Sequence, residues 1–219
     1  MSQQILIVGL GQFGMSLACT LSDKGAEVLA VDRRRNLVEE ASAFVTEAVV
    51  MDATDEIELA RLRPAQRDAC VCAIGDDSKE SSIICTAILR QMGSPWVIAR
   101  ANNPMHQRIL QLVGAHVVVN PEQEFGKRFA NRLIYRQVVA EMPLGEDLHI
   151  TEINVPPAMV GKNLAQLALP KRMGVMVVAI RRGTPSKVLQ PSPDDPLQEG
   201  DNLVIVSNEA AIPKLIGGM

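Results

Sequence analysis

The sequence predicts an α/β fold: a doubly wound parallel sheet, then one long amphipathic helix, then a small α+β lobe. Three observations carry that reading. Short apolar runs alternate with helical segments at intervals of roughly 20 residues. The first run, 5–8, is continuously apolar and ends on glycines. The alternation stops at Asn120-Pro121, and a proline-rich grammar of turns sets in further on.

Each element has its own justification. Ile5-Leu6-Ile7-Val8 suits a strand buried on both faces, as parallel strands are. Residues 15–24 read as a helix closed by Gly25. Residues 27–31 are a second strand and 36–44 a second helix. Residues 48–51 are a third strand. Residues 55–61 are a short helix whose acidic first turn complements the helix dipole. Residues 69–74 are a fourth strand, and 78–92 a long helix ended by Gly93 and Pro95. Residues 96–99, 105–112 and 116–119 add strand, helix and strand. Helical crossovers between such strands force a parallel sheet with helices on both faces. This Rossmann-like domain is assigned to residues 1–120.

Residues 122–142 read as one helix, within a middle region 121–143. Phe125, Phe129, Leu133 and Val138 lie near one face, with Lys127, Arg128, Arg132 and Arg136 largely around it. Such a helix cannot bury its face alone; it packs on its own domain or on another chain. Pro143 and Gly145 mark the boundary to the last region, 144–219. There Ile150, Ile153 and Val155 lead to Pro156-Pro157, 163–169 is a short helix, and 175–180 and 203–206 are strands. Pro185, Pro191, Pro193 and Pro196 break the intervening chain into turns. A lobe of this size is marginal alone, and pairing with a copy of itself would stabilise it.

Composition narrows the function classes. Of 219 residues, 47% are hydrophobic and 21% charged, which suits a packed domain. A net charge of -3 supplies no basic field, so nucleic acid is not an expected partner. No apolar run approaches the roughly 20 residues that span a bilayer. The first strand begins too near the N-terminus to leave room for a signal peptide. Cys19, Cys70, Cys72 and Cys85 form no CxxC pair and sit in apolar segments, which reads as reduced structural thiols in a cytoplasmic protein.

The chemistry concentrates at Gly9-Leu10-Gly11-Gln12-Phe13-Gly14, set between a strand and a helix. Gly9 permits the tight turn, Gly11 lets backbone approach phosphate oxygens, and Gly14 lets helix approach strand. The free N–H groups at the helix start then bind phosphate. Asp32 ends the second strand, where a carboxylate accepts hydrogen bonds from both ribose hydroxyls. Arg33, Arg34 and Arg35 follow and could reverse the preference against a 2′-phosphate, as in NADP, although a solvated helix start is the simpler account of Arg34 and Arg35. Asp52-Ala53-Thr54 ends the third strand; Asp52 suits either an adenine amino group or an N-cap for the next helix. Ile74-Gly75 can lie along the ligand, and Arg100 on the same edge can meet phosphate. Glu122 is a candidate divalent-cation ligand, though one carboxylate is a poor metal site by itself.

Other motifs are missing. There is no GxxxxGK[ST], hence no P-loop. Val139 stands four residues after Tyr135, the only tyrosine, so no Tyr-x-x-x-Lys pair exists. His106, His116 and His149 lack metal-ligand spacing and read as structural or surface residues. The C-terminal lobe offers no evident cluster of acid, base and nucleophile. A non-enzymatic role is expected, with a small NAD(P)-dependent oxidoreductase as the alternative.

In order, Gly9–Gly14, Ala30-Val31-Asp32, Asp52-Ala53-Thr54, Ala73-Ile74-Gly75, Val97-Ile98-Ala99-Arg100-Ala101, Leu112-Val113-Gly114-Ala115 and Asn120-Pro121-Glu122 resemble an RCK (KTN) domain, the regulator of K+ conductance in Trk and Ktr potassium systems. Val160-Gly161-Lys162-Asn163-Leu164, Gly174-Val175 and Glu199-Gly200-Asp201 resemble its C-terminal companion, the TrkA-C subdomain. The resemblance implies a regulatory subunit that is cytoplasmic and peripheral at the inner face of the membrane. It implies homodimers assembling into an octameric ring beneath a K+-translocating partner of Trk or Ktr type, with residues 125–142 as a crossover helix. It implies nucleotide contacts at Gly9, Gly11, Gly14, Asp32, Asp52 and Arg100, and a divalent cation near Glu122. ATP-sensing relatives often carry arginine where this chain has Gln12, and a neutral amide loses the charge-assisted bond to a terminal phosphate. NAD, NADH, ADP and AMP therefore stand beside ATP as ligands. Some relatives bind cyclic di-AMP in the C-terminal subdomain.

Overall fold

The computed structural model describes residues 2–75, 78–145, 147–183, 185–208 and 210–217. The chain divides into two compact units, Met1–Gln123 and Glu124–Met219.

The first unit follows the alternating pattern. In chain order it contains β1 (Gln4–Val8), α1 (Gln12–Asp23), β2 (Glu27–Asp32), α2 (Arg35–Ala41), β3 (Glu47–Val50), α3 (Glu56–Arg61), β4 (Ala69–Cys72), α4 (Lys79–Gln91), β5 (Val97–Arg100), α5 (Pro104–Leu112) and β6 (Val117–Val119). The sheet is parallel throughout, in the order β3-β2-β1-β4-β5-β6. This is the doubly wound Rossmann order, which reverses direction at β1. Both faces of β1 are covered, as its unbroken apolar run requires. Leu6 and Val8 pack with Leu59, Cys85, Leu89 and Leu110. Ile5 and Ile7 pack on the other face with Ala18, Leu17 and Leu21.

Helix starts are fixed by local chemistry. The Asp55 carboxylate accepts from the N–H groups of Ile57 and Glu58, capping α3. Ser78 caps α4 through Ser81 N–H, and Asn103 caps α5 through His106 N–H. By contrast, Gly11 caps α1 with no side chain, so the first N–H groups there take no side-chain acceptor.

The second unit departs from the expectation at its start. The helix predicted over 122–142 ends early: α6 is Pro121–Ile134, and Val138–Pro143 is a strand, β7. β7 pairs antiparallel with β8 (Leu148–Asn154), Val138 opposite Ile153 and Met142 opposite Ile150. The sequence 138–143 has no strong helical stripe, and its β-branched valines fit a half-buried strand once a partner edge exists. After β8 come α7 (Leu164–Leu167), α8 (Leu169–Met173), β9 (Met176–Arg182), β10 (Lys187–Leu189), β11 (Asn202–Asn208) and α9 (Ala211–Gly217). The expected helix 163–169 is thus two short helices joined at Ala168, which has a positive φ of 46°. β10 forms inside the segment read as turns, and α9 tolerates Pro213 in its first turn. The antiparallel sheet runs β10-β9-β11-β8-β7. Its inner face buries Ile153, Ile180, Leu203 and Ile205 against Met159, Leu167, Leu169 and Leu215. Asp201, 1% exposed, takes a two-pronged ion pair from Arg182 at 2.7 and 2.6 Å and the N–H of Gln198 at 2.8 Å.

Candidate nucleotide site

The glycine turn joins β1 to α1 at the point where strand order reverses, the usual ligand crevice of an open parallel sheet. Its glycines differ in what they require. Gly9 has φ +97°, and a Cβ there would stand 2.8 Å from the Ile74 backbone nitrogen. A Cβ on Gly14 would stand 1.9 Å from the Gly9 carbonyl oxygen. Both are therefore demanded by the fold. A Cβ on Gly11 would meet nothing within 4 Å, and its φ of -63° suits any residue. The open space over Gly11 belongs to a cavity of about 350 Å³.

That cavity collects most of the predicted residues. Gly9, Gly11, Gln12, Asp32, Arg33, Asp52, Ala53, Ile74, Gly75 and Arg100 all line it. Three predicted residues stand behind it. Gly14 closes the turn from below. Phe13 lies under the Arg100 guanidinium, 5.9 Å from ring centroid to the cation. Thr54 steadies Asp52: its N–H and hydroxyl donate to Asp52 Oδ1 at 2.9 and 2.8 Å. These two bonds hold the Asp52 carboxyl below its ordinary range. Asp52 is not the helix cap, a role that Asp55 takes.

Asp32 is 6% exposed, and each of its oxygens is doubly engaged. Oδ2 accepts from Leu10 N–H at 2.7 Å and from Arg34 Nη2 at 3.2 Å. Oδ1 accepts from Arg34 N–H at 2.9 Å and from Arg34 Nε at 3.1 Å. Burial works to raise the carboxyl, but the bonds from Arg34 and Leu10 outweigh it, and the group titrates below the usual range. Asp32 is thus ionised, with its charge held at the cavity wall.

Arg100 and Glu122 form an ion pair at 2.5 Å. The Arg100 Nη1 stands 2.8 Å from where a Cβ on Gly75 would fall, so Gly75 gives the guanidinium room. Its Nε is buried without a partner. Glu122 does not line the cavity, and among the described residues no three Cys, His, Asp or Glu side chains gather as a metal group. Within one chain the Glu122 carboxylate answers Arg100.

The remaining lining was not among the predicted residues. Val8, Val31, Met51 and Ala73 are strand ends whose apolar character gave no signal beyond core. Arg34 was hidden in a run of three arginines. Ser78 and Ser81, hydrogen-bonded to each other at 2.6 Å, reach the cavity from the start of α4.

The TrkA-N domain matches residues 5–121, and the TrkA-C domain matches residues 149–216. The chain belongs to the RCK family of Trk and Ktr potassium uptake proteins. Among its RCK relatives, the Ktr system potassium uptake protein A of Vibrio alginolyticus is 36% identical over 204 residues, 93% of this chain and 92% of that one. The Ktr system potassium uptake protein C of Bacillus subtilis is 30% identical over 214 residues, 98% of this chain and 96% of that one. Among solved structures, the GsuK channel bound to NAD is similar with a TM-score of 0.68 at 21% identity, covering 99% of this chain and 40% of that chain. The RCK domain of GsuK gives 0.67 at the same identity, covering 99% of this chain and 48% of that chain. These two likenesses concern the fold. Both RCK regions, the parallel Rossmann-like sheet and the antiparallel C-terminal sheet, are present in this chain.

Proposed function

We propose that this RCK chain is a cytosolic regulatory subunit that binds an adenine nucleotide and gates a K+-translocating membrane protein of Trk or Ktr type. The observation that carries the nucleotide reading is the open space over Gly11, facing the ionised Asp32. The fold does not require a glycine there, and the space suits a phosphate close to the backbone. In this reading Asp32 accepts the ribose hydroxyls, Asp52 meets the base, and the N-terminus of α1 with Arg100 holds phosphate. Gly9, Gly11, Gln12, Phe13, Gly14, Arg33, Ala53, Thr54, Ile74 and Gly75 shape or support the pocket. Gln12 leaves NAD, NADH, ADP and AMP as ligands beside ATP. A divalent cation at Glu122 would need donors from a second chain, because Glu122 alone is too sparse a site.

Three features support the regulatory part. The curated relatives bear the names of potassium uptake proteins along nearly their whole length. Among the described residues, no helix is long and apolar enough to cross a membrane, which fits a K+ pathway supplied by a partner. α6 buries none of its side chains within the chain and exposes Phe125, Phe129 and Leu133, with the two rings stacked at 5.7 Å. An exposed stripe of this kind calls for another protein surface. We assign it to a crossover contact between two copies, which assemble further into an octameric ring. Nucleotide then acts as a signal by binding one ring shape better than another.

A thermal-shift panel of ATP, ADP, AMP, NAD, NADH and cyclic di-AMP, with and without Mg2+ or Ca2+, tests the ligand, because a tight ligand of the folded state raises Tm by mass action. Mass measurement in solution tests the ring: a monomer with and without nucleotide defeats it. Turnover of bound nicotinamide with a small substrate would favour an oxidoreductase instead. Co-purification with a protein unrelated to K+ transport would favour a regulator of another partner.

A further inference from the structure

An ionised carboxylate offers about four acceptor positions. In Asp32 all four are filled. Each oxygen takes one backbone N–H, from Leu10 or from Arg34, and one guanidinium N–H from Arg34. The two backbone donors are fixed by the glycine turn and by the start of α2. The two guanidinium donors belong to a side chain that is 44% exposed and lines the cavity. A ribose diol also brings two donors, set on neighbouring carbons. It can reach Asp32 only by displacing the guanidinium. We infer that Arg34 competes with the ribose diol for Asp32 and so sets how strongly the pocket selects ligands carrying an intact diol.

The inference rests on the reading of this cavity as an adenine-nucleotide site. It has an uncommon sign. General electrostatics predicts that removing a cation from the rim of a phosphate-binding pocket weakens binding. Competition predicts the reverse for a ligand whose diol needs Asp32. It also predicts a chemical dependence: a nucleotide lacking both hydroxyls leaves the Arg34–Asp32 pair in place and does not sense the competitor.

The test is calorimetry of ADP and of 2′,3′-dideoxy-ADP against the full chain, as wild type, Arg34→Met and Arg34→Lys. Methionine keeps the stem of the side chain, and the position is exposed, so the variant is expected to fold; a thermal melt checks this. Exposed ion pairs are weak, so ADP should bind Arg34→Met about two- to fivefold more tightly than wild type. Dideoxy-ADP should bind both proteins alike. Lysine, which keeps the charge but loses the two-pronged fork, should fall between. Added salt should weaken ADP binding less steeply in wild type than in Arg34→Met, because it weakens the competing pair as well. Weaker ADP binding by Arg34→Met would overturn the inference, since the guanidinium would then hold the nucleotide. Equal gains for both ligands would overturn it too, pointing to simple obstruction. ADP binding that is indifferent to Arg34 overturns the competition alone. Absence of binding in all three proteins overturns the nucleotide site itself.

Discussion

Replacing Asp32 by alanine separates what this carboxylate does for the fold from what it does for a ligand. In the folded chain it accepts the buried Leu10 N–H at 2.7 Å. Alanine leaves that donor without an acceptor, at a cost of about 1–3 kcal/mol. For a chain of this length each kcal/mol shifts Tm by roughly 2–4 °C, so a drop of several degrees is expected. The lost bonds to the exposed Arg34 add little. For binding, two hydroxyl donors to an ionised acceptor are lost, at about 1.5–3 kcal/mol each. Competition from Arg34, worth only about two- to fivefold, brings this to about 2–5 kcal/mol, or roughly 30- to 5000-fold in Kd for ADP. Asp32→Asn sorts the two effects. Its amide oxygen still accepts from Leu10, so part of the stability returns although the amide NH2 then faces the Arg34 N–H, while the charge and most of the affinity do not return. Because the folded carboxyl titrates below its unfolded value, its stabilising effect is complete above about pH 4 and fades only as pH falls through the depressed folded value. The Tm gap between wild type and Asp32→Ala should therefore hold between pH 8 and 5 and narrow only in stronger acid. Calorimetry and melting curves read both effects. A folded Asp32→Ala that binds ADP within about threefold of wild type would refute the assignment of Asp32 to ribose.

Four further outcomes follow from the geometry. Gly14→Ala forces a Cβ to 1.9 Å from the Gly9 carbonyl oxygen and should destabilise the first unit by about 3 kcal/mol or more, seen as low soluble yield or a much reduced melting point. Gly11→Ala meets open space and should melt within about 1 kcal/mol of wild type yet lose nucleotide binding; retained binding would remove phosphate from that face of the turn. Phe129→Glu alters a residue exposed in the single chain, so each copy should fold normally while the assembly mass falls; an unchanged mass in solution would place the contact elsewhere. Asp201→Asn breaks the pair with Arg182 in the second unit and should cost about 1–3 kcal/mol near neutral pH, with the penalty shrinking below about pH 4, because burial opposes but the Arg182 and Gln198 bonds depress the Asp201 carboxyl.

Much of the candidate site's cavity lining could be read in the sequence because its logic is local. Gly9, Gly14 and Asp32 occupy fixed places relative to one strand–turn–helix unit, so spacing alone locates them. Asp52, Ile74 and Arg100 come from other strands. They were still legible, because every parallel strand of such a sheet delivers its carboxyl end to one edge. Arg34 could not be singled out. It is one of three consecutive arginines, and only the rotation of the chain entering α2 decides which of them turns back onto Asp32. Ser78 and Ser81 resemble any helix start. Their place at the cavity depends on how α4 packs.

The sequence by itself determined the parallel sheet, the place of the glycine turn on it, and the change of grammar toward the C-terminus. Period and punctuation carry that information within a few residues of each element. Tertiary structure decided the rest where two local states were close in free energy. Residues 138–143 could continue a helix, but pairing with β8 satisfies their backbone and makes them a strand. β10 arises in a turn-rich segment because β9 offers it an edge. In both cases the deciding hydrogen bonds come from chain beyond the segment itself, which no short window of sequence contains.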